Sequence, residues 1–179
     1  VIGDATQEQR NDFSRITARF HFRLPLTSTN VEEVIQKRLL AKTDKGNAEL
    51  TSFYEREADH LRTVFQFGQG IKEVRFKGPE HFVLSYPFVA SQYYYLQEAL
   101  KGLSSHNAFT GRHVSRGERS MLEVFQDVGK QLAPAKLFRF ATFDQMFDGI
   151  RNTLQSGLLQ QVHLGEQNIP DPLAIRLIK

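Results

Sequence analysis

The sequence predicts a mainly α fold, a helical bundle with one short strand near 20–26 and little other sheet. Apolar residues recur at 3,4 spacing in several long windows, the mark of helices that bury one face. Capping signatures, in which Asn, Ser or Thr is followed three residues later by Glu or Gln, stand ahead of three of those windows. Strict alternation, the period of a strand, is confined to Phe20, Phe22, Leu24 and Leu26.

Taken in order, residues 1–11 are polar and weakly patterned. The alternating stretch then gives the strand at 20–26. Asn30, with Glu33 reaching back, predicts the cap of a helix over 31–41 whose stripe is Val31, Val34, Ile35 and Leu39. Residues 42–47 read as a turn around Gly46. Leu50, Phe53, Tyr54, Ala58, Leu61, Val64 and Phe65 then predict a long amphipathic helix over 48–66. Gly68, Gly70, Gly78 and Pro79 break the next segment, leaving extended pieces near 74–76 and 82–84. A helix is expected to restart at Ser91 and run to Leu103, followed by a polar loop over 104–114. Ser115 and Glu118 head a helix with the apolar face Met121, Leu122, Phe125, Val128 and Leu132. Residues 137–141 read as extended. Thr142 and Gln145 then cap a stripe of Phe143, Met146, Phe147, Ile150, Leu154 and Leu158. No internal repeat or linker divides the chain. The opening at Val1 and the closing run 171–179, which reads as a helix cut in its second turn, suggest a piece of a longer protein.

Composition excludes several functions. The chain has 179 residues and 23 Lys plus Arg against 20 Asp plus Glu, a formal charge of +3. That excess is too small to make nucleic acid the default partner, although local basic patches stay open. The absence of cysteine removes disulfides, thiol catalysis and Cys-ligated metals, and fits a reducing, cytoplasmic setting. No apolar run approaches the ~20 residues that span a bilayer, so no membrane partner is expected.

The common catalytic signatures are missing. Gly129-Lys130 is followed by Gln131, with Val124 where a phosphate-binding loop needs its first glycine, so the stretch reads as helix interior. Gly68-Gln69-Gly70 lacks the third glycine of a dinucleotide turn. The six histidines never take the spacing of a zinc protease, and His106 and His113 read as loop residues. There is no Gly-x-Ser-x-Gly elbow. Glu55, Glu57 and Asp59 read as a solvated helix face rather than an acid–base pair. Tyr93-Tyr94-Tyr95 offers rings that stack bases if displayed, but the helical spacing of Leu96, Ala99, Leu100 and Leu103 turns at least one of them to the core.

The arginines stand out. Arg15 and Arg19 flank Ile16-Thr17-Ala18 just ahead of the strand, and Arg116 and Arg119 fall in the first turn of the helix headed by Ser115. Ordinary salt bridging accounts for such placements as readily as function does.

This order of features resembles the second part of an AAA+ ATPase, from just after the sensor-1 strand into the helical lid. Arg15-Ile16-Thr17-Ala18-Arg19-Phe20 is similar to the Arg-Leu-x-Ser-Arg-Phe box of initiator-type ATPases, and Ser115-Arg116-Gly117-Glu118-Arg119-Ser120-Met121-Leu122 resembles the start of a sensor-2 helix. More closely, nearly the whole chain resembles a segment of the BrxC family, the large P-loop proteins of BREX bacteriophage-exclusion systems, related to PglY. The strings that carry this are 20–28, 30–42, Tyr86-Pro87-Phe88 with Gln92-Tyr93, and 115–122. Ala90-Ser91 departs from the Pro-Tyr that the family pattern places there.

The resemblance implies that 1–26 ends an AAA+ core, with its last helix and strand, and that 27–179 forms the lid and following helices. It makes Arg19 or Arg15 the arginine finger that reaches a neighbouring subunit's γ-phosphate, and Arg119 and Arg116 the sensor-2 residues. ATP and Mg2+ then belong to the full-length parent, whose Walker elements lie upstream, and none is expected on this segment alone. Self-association, other BREX proteins and DNA reached through the complex are the implied partners. A helical interaction or DNA-binding module without a nucleotide role is the alternative.

Overall fold

The computed structural model describes residues 28–66, 68, 72–110 and 117–179, with the backbone alone at 28–30 and 117–119. The expected strand at 20–26 lies outside the described residues. Those residues form eight α-helices and no strand, so the mainly helical expectation holds.

Helix α1, Ser28–Val34, runs on through a wider π turn at Ile35–Leu39, closed by Leu40 N–H on the Ile35 carbonyl at 3.0 Å. Asn30 therefore sits inside the helix and is not its cap. Glu33, expected to reach back to that cap, takes Lys37 Nζ at 2.7 Å instead. The π turn has a consequence for packing, because the inserted residue lets both Ile35 and its neighbour Gln36 be buried.

Helix α2, Asp44–Val64, starts one turn before the expected 48, inside the segment read as a turn. Thr43 supplies the reason, since its hydroxyl accepts from Gly46 N–H at 3.2 Å and caps the helix there. Helix α3, Pro79–Ser85, replaces the expected extended piece at 82–84. Three consecutive apolar residues resemble a strand, but Pro79 at the first helical position and Gly78 at φ 143° before it set a helix start. Residues 72–77 are irregular rather than paired.

Helix α4, Ala90–Ser105, matches its expected span closely. Gln92 caps it by accepting from Val89 N–H at 2.9 Å, and its amide donates to the Ala141 carbonyl at 2.9 Å. Helix α5, Gly117–Leu132, carries the anticipated apolar face. The box heading α6, Phe143–Ile150, also forms, with Thr142 N–H on Gln145 Oε1 at 3.0 Å.

The expected 143–158 stripe is broken. A 3-10 turn at Arg151–Thr153 ends α6, Leu154 is buried through an isolated antiparallel bridge to Phe109, and α7, Ser156–Asn168, begins anew. Phe143 and Leu158 are consequently exposed. Helix α8, Pro172–Ile178, is capped by Asp171, whose carboxylate accepts from Leu173 N–H at 2.9 Å.

Two cores result. Val31 and Ile35 of α1, Tyr93, Leu96 and Leu100 of α4, Met121, Val124, Phe125 and Val128 of α5, and Met146 and Ile150 of α6 form the larger one. An aromatic cluster between α2 and α3 is centred on Phe82, with Phe53, Tyr54, Phe76, Tyr86 and Phe140 around it. The Tyr86-Pro87-Phe88 corner joins them, since Tyr86 packs on the aromatic cluster and Phe88 in the larger core. Helices α7 and α8 bury no side chain fully and are tied on by ion pairs. Hydrogen bonds from Arg151 hold the Glu166 carboxyl down at about 2, while Arg176 meets Asp144 at 3.1 Å and Lys179 meets Asp148 at 3.0 Å.

The α5–α6 crossing depends on Gly149. A Cβ there would stand 3.1 Å from Val124 Cγ2 and 3.3 Å from Val124 Cα, and the backbone atom has nowhere to go. Gly149→Ala is expected to destabilise the chain, because overpacking costs about 1–3 kcal/mol against the ~0.8–1 kcal/mol that alanine gains in a helix. A urea midpoint that rises instead of falling would contradict this reading of the crossing.

Candidate functional site

The four arginines singled out by sequence cannot be joined into a site. Arg15, Arg19 and Arg116 lie outside the described residues. Arg119 falls in the first turn of α5, where the backbone alone is described. What is described is the anchoring below it. Met121, Val124, Phe125 and Val128 are at most 3% exposed, so the head of α5 is fixed to the body of the bundle.

Beside that head lies a polar cleft of about 390 Å³, between α1, residues 72–77 and α4. Its floor is partly apolar, with Ala90, Tyr93 and Met121, and its walls carry Lys72, Arg75, Lys77 and His81. Residues 72–77 are held at both ends. The Tyr95 hydroxyl donates to the Lys72 carbonyl, and Lys77 N–H donates to His81 Nδ1 at 3.2 Å. Between these ties Val74 and Phe76 turn partly inward, which leaves Lys72, Arg75 and Lys77 exposed.

A buried polar seam supports the cleft from below. Gln36, brought inward by the π turn, donates to Ser85 Oγ at 3.1 Å and to Glu32 Oε1 at 3.0 Å. Glu32 also faces His81 Nε2 at 3.3 Å. Because His81 Nδ1 accepts from a backbone amide, the neutral ring carries its proton on Nε2, toward Glu32. The base position of this pair is occupied, so it orients structure and does not abstract protons. The Tyr93 hydroxyl donates to the Ser85 carbonyl at 3.3 Å, and burial pushes that phenol well up.

Of the three tyrosines, Tyr93 is the one turned to the core, 3% exposed and stacked on Phe125 at 4.6 Å. Tyr94 lines the cleft, with Lys72 Nζ 4.1 Å from its ring centroid. The cleft cations escaped the sequence reading because they sit in a glycine-flanked segment without periodicity.

Lys42 was likewise not anticipated. Its ammonium donates to the Leu84 carbonyl at 3.1 Å, in the last turn of α3, where a helix end favours a cation. Burial pulls it from the ordinary 10.5 down to about 8. Unfolding restores the ordinary value, so between pH 8 and 10.5 the unfolded chain holds a proton that the folded chain has released. Stability contributed by this group therefore rises with pH across that window and levels off above it. Lys42→Met should lack the rise, and the gap in unfolding free energy between wild type and variant should change in favour of wild type from pH 8 to 10.5. A gap independent of pH would contradict the burial of the charge.

Among the described residues no group of three or more His, Asp or Glu is placed to hold a metal ion. Gly129 and Lys130 lie inside α5 and form no phosphate-wrapping loop. No described helix is long and apolar enough to cross a membrane. No protein-family model matches the chain, and no solved structure matches it. Fold and site together define a helical bundle with a basic cleft beside the head of α5.

Proposed function

We propose that this chain is the lid and post-core helical segment of a BREX-type AAA+ ATPase. In this reading Arg19, or Arg15, completes a neighbouring subunit's nucleotide site, and Arg119 with Arg116 senses nucleotide in its own. ATP and Mg2+ belong to the parent assembly, which self-associates and acts with other BREX proteins around DNA in the cytoplasm. The observation that carries the reading is the anchoring of α5. A charge at its first turn sits on a helix fixed through Val124, Phe125 and Val128, all fully buried, in the larger core with α1, α4 and α6. Engagement of a phosphate by Arg119 then moves the lid as one body, and lid motions of this kind couple nucleotide state to assembly.

A second reading, a helical interaction or DNA-binding module with no nucleotide role, draws on the exposed Lys72, Arg75 and Lys77. Contacts of lysine and arginine with DNA weaken steeply as salt rises, whereas a nucleotide-sensing lid has little affinity for DNA at any salt.

The test compares the isolated 179 residues with the parent. The isolated chain is expected neither to hydrolyse ATP nor to bind it tightly. In the parent, Arg119→Ala should weaken ATP binding by about 10- to 100-fold, the loss of a charged hydrogen bond. Hydrolysis by the isolated chain that survives Arg119→Ala would overturn the reading.

A further inference from the structure

We propose that the cleft between α1, residues 72–77 and α4 binds a single strand of nucleic acid, with phosphates on Lys72 and Lys77 and a base on the Tyr94 ring. The inference sharpens the second reading above and rests on it.

Four observations carry it. Lys72 and Lys77 are exposed on one irregular segment, which at ~3.3–3.6 Å per residue reaches at most ~18 Å between them, the length of several nucleotides. Their placement is enforced, since the Tyr95 and His81 hydrogen bonds pin the two ends while Val74 and Phe76 pack inward. The carboxylates of the cleft are already engaged, Glu73 with Arg75 at 2.5 Å and Glu32 with Gln36 and His81. Lys72 and Lys77 keep no carboxylate partner among the described residues. Finally, the Tyr94 ring lies in the same cleft, half-buried, with the Lys72 ammonium 4.1 Å from its centroid and the Tyr95 ring edge-on at 5.2 Å.

A basic groove that tracks the backbone, with an aromatic face for a base, is the arrangement by which single strands are held without regard to sequence. An exposed cation–π contact is weaker than base–aromatic stacking, so an arriving base displaces Lys72 from the ring. The freed ammonium is then placed to meet the phosphate flanking that base. Gln97, on the wall of the cleft, offers an amide to a base edge or sugar.

The experiment is fluorescence anisotropy of a labelled single-stranded oligothymidylate titrated with the 179-residue chain over a series of salt concentrations. Lys72→Ala/Lys77→Ala should weaken binding about tenfold or more and lower the slope of log K against log salt by ~1.4, two phosphate contacts at ~0.7 each. Tyr94→Leu should weaken it by about 5- to 100-fold with the slope unchanged. Lys130→Ala/Lys136→Ala removes the same charge from two exposed lysines, the first ~13 Å along α5 from Met121, and should leave binding within about twofold. Circular dichroism melts confirm that each variant is folded. No binding at low salt, or equal weakening by both lysine pairs, would overturn the proposal. So would binding of labelled polyglutamate as tight as that of the oligonucleotide, which would make the cleft a generic trap for polyanions.

Discussion

Phe125→Ala should come close to unfolding the chain. The ring is fully buried, with its centroid 4.4 Å from that of Phe88 and stacked on Tyr93 at 4.6 Å, at the point where α4, α5 and the Phe88 corner meet. Emptying such a site costs about 3–5 kcal/mol, and the loss of two favourable ring pairs accounts for part of that. A domain of this size is held by only ~5–15 kcal/mol in total. The expected result is a large fall in the urea midpoint. A shift no greater than that of Leu177→Ala, whose side chain is 79% exposed, would show that α5 is not the keystone of the core. On either proposed reading the consequence reaches function as well, since α5 carries Arg119 at its head and Met121 at the edge of the cleft.

Elements with both a periodic apolar face and a local start signal were legible in the sequence. Helix α6 has both, while α4 and α5 show the periodic face, because Leu96, Leu100, Val128 and Met146 are buried where the spacing puts them, and the Ser115–Glu118 signal ahead of α5 lies outside the described side chains. Failures have identifiable causes. The stripe from Phe143 to Leu158 keeps its 3,4 period across a break, since Leu154 reaches the interior by bridging Phe109, a contact over 45 residues that no local pattern encodes. Phe82, Val83 and Leu84 read as a strand because short apolar runs do not distinguish strand from helix, and the decisive residues were Gly78 and Pro79 ahead of them. Asn30 looked like a cap only because the helix begins before it.

The candidate site was less legible than the fold. Lys72, Arg75, Lys77, His81 and Tyr94 are scattered in sequence and are gathered only when residues 72–77 cross α4. Of these, only the tyrosine run announced itself. Lys42 looks like any solvated lysine until Leu84 is brought to it. The arginine assignments rest on resemblance to AAA+ ATPases, and of the four only Arg119 lies on the anchored helix α5.

On the proposed lid reading, the largest functional effect belongs to Arg19. An arginine supplied in trans to a phosphoryl transfer neutralises charge that develops in the transition state and accelerates hydrolysis by about 10^3- to 10^5-fold. Its removal should therefore abolish turnover while leaving ground-state nucleotide binding in place. The most direct test of the lid reading is steady-state ATP hydrolysis by the full-length parent, wild type against Arg19→Ala, with ATP affinity measured in parallel. If Arg19 is the finger, turnover falls by about 10^3-fold or more, at unchanged affinity, in a protein that hydrolyses ATP only as an oligomer. Turnover that is unchanged in Arg19→Ala, and unchanged again in Arg15→Ala, would contradict it and leave the interaction-module reading in its place.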